Sequence, residues 1–136
     1  MGIRIDASVL IDHERGRIDL DRRIRDREDE LFFISVVTVS ELLHGAHRAS
    51  TGVQRARRTI FVEAIIDRFP ALGVDLPTAR AHAEVGAALA RAGQSIGPAD
   101  LWLAAASLAH GLSLATANVR EFGRVVGLDV EDWSAR

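Results

Sequence analysis

The sequence predicts an α/β fold with a mainly parallel central sheet of four to five short strands and helices on both faces. Three observations lead there. Short apolar runs alternate with longer stretches of helical period along the whole chain. Two of those stretches open on proline and close on glycine, the usual start and stop of a helix. Strands that alternate with helices are joined by crossovers, and crossovers make parallel pairs covered on both sides.

The elements follow in order. Ile3 and Ile5 alternate with Arg4 in "IRID", a strand over 3–6, and a short helix over 8–14 comes next. "DLDRRIRDRED", 19–29, reads as a charged surface helix. "LFFI", 31–34, is the second strand, and amphipathic helices over 36–49 and 53–68 follow, separated by "STG". A third strand falls at 72–75. Helices over 77–92 and 98–110 begin at Pro77 and Pro98 and end at Gly93 and Gly111. "LSLAT" makes a strand over 112–116, and a fifth is expected within 125–130.

Composition narrows the function. A length of 136 residues with 48% hydrophobic content suits one domain, 1–136, with a real core. No apolar run is long enough for a membrane span and no signal-peptide pattern opens the chain, so a soluble cytoplasmic protein is expected. There is no cysteine, which removes disulfides, thiolate nucleophiles and thiolate metal sites. All 17 basic residues are Arg. Without Lys there is no P-loop and no Schiff-base chemistry, and phosphate-transfer folds that need both Asp and Lys are disfavoured. Net charge is −2, so any RNA contact must use local Arg patches rather than a global field.

In parallel sheets, ligands bind beyond the carboxyl ends of the strands. Asp6 directly follows the first strand. Glu41 lies in the helix after the second. Asp100 is the one acid in a helix that is apolar nearly all round, and Asn118 and Glu121 follow the strand at 112–116. Each has an ordinary explanation. Asp6 fits a helix N-cap, Thr38 to Glu41 fits a capping box, Asp100 suits a helix start, and Asn118 suits a turn. Caps explain these residues singly. They do not explain why all gather near one sheet edge, where unpaired carboxylates would repel and a hard divalent cation would relieve the conflict.

Those residues sit in segments that resemble the PIN-domain ribonucleases, and within them the VapC toxins of toxin–antitoxin pairs. The segments are "IDASVLID", "ISVVTVSELLHGAHRA", "IGPADLWLAAASLAHG", "LATANVREFGRV" and "GLDVEDW", in family order across nearly the full length. The resemblance implies a PIN-like fold and a metal-dependent endoribonuclease that hydrolyses phosphodiester bonds in structured RNA such as tRNA or rRNA. It implies Mg²⁺ or Mn²⁺ as cofactor, a homodimer, and neutralisation by a VapB-type antitoxin. Asp6, Glu41 and Asp100 match the family's acidic positions, with Asp6 and Asp100 as metal ligands. Asn118 stands where many members carry Asp, and Glu121 is placed to help through a water. Ser8 and Thr116 match supporting positions. Ala7 stands where a hydroxyl residue is usual.

Other features carry less. Glu41, His44 and His47 partly share a helix face, but no second Glu-x-x-His motif accompanies them. His44 and His47 are expected to line a cleft or dimer face, and His13, His82 and His110 to be surface or helix-end residues. Arg22 and Arg23 in "RRIRDRED", and Arg55, Arg57 and Arg58 in "QRARR", are candidates for RNA phosphate contact. Val39, Leu42, Leu43, Ile60, Phe61 and Ile65 either complete the core or form a dimer or antitoxin groove. The alternative to a nuclease is a cleavage-inactive RNA- or antitoxin-binding module, motivated by Asn118.

Overall fold

The computed structural model describes residues 2–134. Its elements are β1 (Gly2–Ile5), α1 (Ala7–Glu14), α2 (Leu20–Arg25), β2 (Leu31–Ser35), α3 (Val36–His47), α4 (Gly52–Arg68), β3 (Ala71–Leu72), α5 (Leu76–Arg91), α6 (Pro98–His110), β4 (Ser113–Thr116), α7 (Val119–Phe122) and β5 (Val130–Asp132). The strands form one sheet of order β3-β2-β1-β4-β5, with every neighbouring pair parallel. The order reverses direction at β1 and β4, which makes the gap beyond their carboxyl ends the topological switch point.

Alternation along β4 divides the core in two. Ala115 packs with Ile3, Ile5 and Ile34 against Val9, Leu10, Leu42, Val62 and Ile65 from α1, α3 and α4. Leu114 points the other way, onto Leu89, Leu103, Ala104 and Phe122 from α5, α6 and α7. Two-sided burial is why the strands read as short apolar runs. Leu103 to Ser107 of α6 are all buried, as its nearly uniform apolar sequence requires.

Several boundaries differ from the sequence reading, each for a local reason. α2 covers only 20–25: Asp19 caps it by accepting from the Arg22 N–H, and turns take over after Arg25. β3 is two residues, 71–72, not 72–75. The fifth strand is at 130–132, not 125–130. Val125 is instead buried in the second core, and Gly127, at φ +84°, turns the chain before β5. α7 is a four-residue helix that periodicity is too short to reveal. Of the proposed surplus apolar residues, Leu42 and Ile65 are core, and Val39, Leu43 and Phe61 pack against it; Ile60 alone is exposed, at 71%.

Arg4 is the unusual strand residue. It is fully buried, on the face of the sheet opposite Ile3 and Ile5. Its Nη2 lies 3.3 Å from Nδ1 of His110, and Nε2 of His110 lies 2.7 Å from the Asp75 carboxylate. Burial lowers the Arg4 pKa to about 10, with the Asp75 charge opposing that fall. His110 is at a helix end as expected, but it also ties the foot of α6 to β1. Among the described residues no helix is long and apolar enough to cross a membrane.

Leu103, with no exposed surface, holds α6 against β4. Leu103→Ala is expected to cost about 2–5 kcal/mol in urea unfolding with an unchanged m-value. A loss below ~1 kcal/mol would contradict this packing.

Candidate active site

Asp6 is the first residue beyond β1, and its N–H donates to the Ala115 carbonyl at 2.9 Å, so it is locked to the end of β4. It occupies the N-cap position of α1, yet its side chain makes no capping bond. Its Oδ2 instead accepts from Ser8 Oγ at 2.6 Å and from Thr116 Oγ1 at 2.8 Å. Those hydroxyls are themselves braced. Ser8 Oγ accepts from the Ala117 N–H at 3.0 Å, and Thr116 Oγ1 from the Asn118 N–H at 2.9 Å. A carboxylate only 4% exposed is thus held in one orientation by two hydroxyl donors.

Glu41 does not belong to a capping box. α3 begins at Val36, and Ser35 is its cap, accepting from the Val37 N–H at 3.1 Å. Glu41 therefore sits in the second turn, where no backbone N–H is left to cap. Its pKa is raised, first by desolvation and then by the charge of Asp6.

Asp100 lies in the first turn of α6, after Gly97, which offers no capping side chain. Its pKa is pushed up to about 7, chiefly by burial, then by the charges of Asp6, Glu121 and Glu41. A hydrogen bond shared with Glu121 adds to the rise. Glu121 moves the opposite way. Its Oε1 accepts from the Gly97 N–H at 2.8 Å, and its Oε2 from Asn118 Nδ2 at 2.7 Å. Asn118 is the N-cap residue of α7 without capping through its side chain; its amide aims Glu121.

Asp6, Glu41, Asp100 and Glu121 therefore share one electrostatic neighbourhood, with Ser8, Thr116 and Asn118 bracing it. Among the described residues, no three Asp, Glu or His side chains come together so as to hold a metal ion by themselves. The donors still fit a hard cation. They are oxygens, and two of the acids have their charged forms disfavoured by burial and then by their neighbours. Mg²⁺ usually binds one or two carboxylates and keeps several waters, so it needs no closed cage.

The remaining candidates fall elsewhere. His44 and His47 are exposed on α3. His82 stacks on Trp102 with ring centroids 3.6 Å apart, and His13 accepts from the Leu20 N–H. Arg22 and Arg23 line a cleft with Asp19 and Asp26, and Arg23 also lies over the Trp133 ring. Arg57 and Arg58 line a separate cleft at the start of α4, while Arg55 is exposed outside it. Sequence reasoning did not find Ser35 as the cap of α3, or the Gly97 N–H as the group that seats Glu121. The first had a signal, a serine at the junction of strand and helix; the second depends on chain folding alone.

The sign of the Asp100 shift has a consequence. A carboxyl whose pKa is higher folded than unfolded stabilises the protein when protonated, and that contribution is lost as pH rises toward about 7. Metal-free protein is expected to lose thermal stability between about pH 4 and 7 through this group, and Asp100→Asn to flatten that slope. An identical slope in the variant would contradict the crowding.

Comparisons place the chain among known proteins. A PIN domain family model matches residues 3–128. The tRNA(fMet)-specific endonuclease VapC of Shigella flexneri is 38% identical over 101 residues, 74% of each chain. Ribonuclease VapC1 of Rickettsia felis is 31% identical over 130 residues, 96% of this chain and 95% of that one. The crystal structure of DNA-bound VapBC from Salmonella typhimurium matches with a TM-score of 0.88 at 29% identity, over 98% of both chains. The parallel sheet and the carboxylates at its switch point agree with that company: the chain belongs to the PIN-domain family, among the VapC ribonucleases.

Proposed function

We propose that this chain is a VapC-type toxin, a metal-dependent endoribonuclease cutting structured RNA such as tRNA or rRNA and silenced by a VapB-type antitoxin. The observation that carries this reading is Asp6, held by Ser8 and Thr116 at the switch point and facing the charges of Glu41 and Asp100. Relatives bearing VapC names and the VapBC complex support it. A homodimer in the cytoplasm is part of the same proposal.

Each residue has an assigned task. Ser8 and Thr116 occupy Oδ2 of Asp6 and fix the carboxylate plane. Asp6 and Asp100 would hold Mg²⁺ or Mn²⁺, with Glu41 beside them. Asn118 and Glu121 complete the acidic wall. Glu121 contributes its charge while the Gly97 N–H holds it in place. A divalent cation bound there supplies charge stabilisation on the phosphodiester and a lower pKa for water. Water attacks phosphorus in line and passes a proton to the carboxylate set. The bond from phosphorus to the 3′-oxygen breaks, and that oxygen takes up a proton from solvent, leaving a 3′-hydroxyl and a 5′-phosphate. Arg22, Arg23, Arg55, Arg57 and Arg58 are the proposed phosphate contacts. The cleavage-inactive reading is weakened by Asn118, which aims an acid at the site rather than leaving it one charge short.

RNA cleavage with Mg²⁺ or Mn²⁺ tests the reading. Asp6→Asn and Asp100→Asn are each expected to slow cleavage ~100-fold or more, the scale of losing one electrostatic stabiliser, and EDTA to abolish it. Equal rates in all three proteins, or activity indifferent to EDTA, would overturn it.

A further inference from the structure

The Arg residues of the chain are not spread evenly in their pairing. Arg17, Arg27 and Arg68 form ion pairs with nearby carboxylates. Most others form none among the described residues, but four of these, Arg15, Arg48, Arg57 and Arg58, together line one cleft of about 440 Å³ between the ends of α1 and α3 and the start of α4. Glu14 is the one carboxylate in its lining, so the local balance is strongly positive in a chain of net charge −2.

Two of the four have a structural explanation. Arg15 and Arg48 are the C-cap residues of α1 and α3, where a cation suits the helix dipole. Arg57 and Arg58 lie inside α4 and have no such role. Arg58 reaches across to donate to the Gly45 carbonyl at 3.4 Å. Four cations around a single carboxylate, Glu14, repel one another, and an anion in the cleft would relieve that.

The cleft also connects with the carboxylates. Arg15, Arg58 and Glu14 line a second, smaller hollow of about 70 Å³ as well, and its wall includes Glu41 and Gly45. Glu41, Gly45 and Arg48 are spaced i, i+4, i+7 on α3 and so share a face. At a rise of 1.5 Å per residue, Arg48 is about 10 Å along the helix from Glu41.

We propose that this cleft is a phosphate-binding subsite, with Arg48, Arg57 and Arg58 gripping the RNA backbone a few nucleotides from the bond that is cut. The assignment rests on the ribonuclease reading and specifies how that site takes a long substrate. It replaces the run of Arg55, Arg57 and Arg58 by a set drawn from two helices, α3 and α4. Arg's planar fork suits phosphate.

Binding of a fluorescently labelled single-stranded RNA to the Asp6→Asn protein in EDTA isolates this contact from cleavage. Arg48→Ala/Arg57→Ala is expected to weaken binding about tenfold and to make the salt dependence shallower by about 0.7 per lost contact. Arg80→Ala/Arg91→Ala on α5, equal in charge removed, is expected to change it less than about twofold. The single, exposed Arg57→Gln is expected to give a smaller loss in the same direction, which covers the case of a double variant that folds poorly. Equal weakening by both double variants would overturn the subsite. So would unchanged RNA binding accompanied by lost antitoxin binding, which assigns the cleft to a protein partner. Cleavage by the wild type is read separately, so failure of the ribonuclease reading shows as an inert wild type whatever the binding result.

Discussion

Mutual repulsion among carboxylates at one end of the sheet is the constraint around which this molecule is arranged. Asp6, Glu41, Asp100 and Glu121 come from four different helices or their entries, and each acts on at least one other. Nothing in folding alone favours bringing them together. The fold tolerates it by giving each acid a different environment. Asp6 has hydroxyl donors, Glu121 has a backbone N–H and an amide, and Glu41 stays exposed. Asp100 is left with burial and the neighbouring charges together, and its pKa rises furthest, to about 7.

Sheet topology makes the arrangement rigid. Asp6 is bonded through its backbone to β4, and Thr116, the last residue of β4, is bonded to its side chain. The two central strands therefore position each other's functional residues across the switch point. At the other end of α6, His110 reaches buried Arg4 of β1. α6 is tied at its foot to the strand that delivers Asp6, and its own first turn delivers Asp100. Removing a carboxylate without removing its supports should leave the fold intact, because the supports are backbone and hydroxyl groups with other partners.

Much of this was legible in the sequence. The α/β class followed from the alternation of periods, and the parallel sheet from the crossovers. Asp6 stood out because it interrupts a strand pattern, and Asp100 because it is a lone charge among apolar residues. The capping reading of Glu41 failed because α3 starts two residues before Thr38, at Val36, and a boundary error of that size changes which residue can cap. β5 was misplaced because Val125 and Leu128 are apolar for a different reason: they pack on α6 and α7 without strand pairing. The Asp75–His110–Arg4 chain and the Arg cleft join residues distant in sequence, and one sequence carries no signal for such pairs. The resemblance to a known family supplied the roles of Ser8 and Thr116, which spacing alone does not convey.

A shared divalent cation would resolve this crowding, and Mn²⁺ binding followed by electron paramagnetic resonance detects it without reference to RNA. The wild-type protein is expected to take up Mn²⁺, Mg²⁺ to compete for it, and Asp6→Asn and Asp100→Asn each to weaken uptake by tenfold or more, on the order expected when one of a few charged ligands is lost. Uptake of equal strength in all three proteins would place the ion elsewhere and rule out these carboxylates as its ligands.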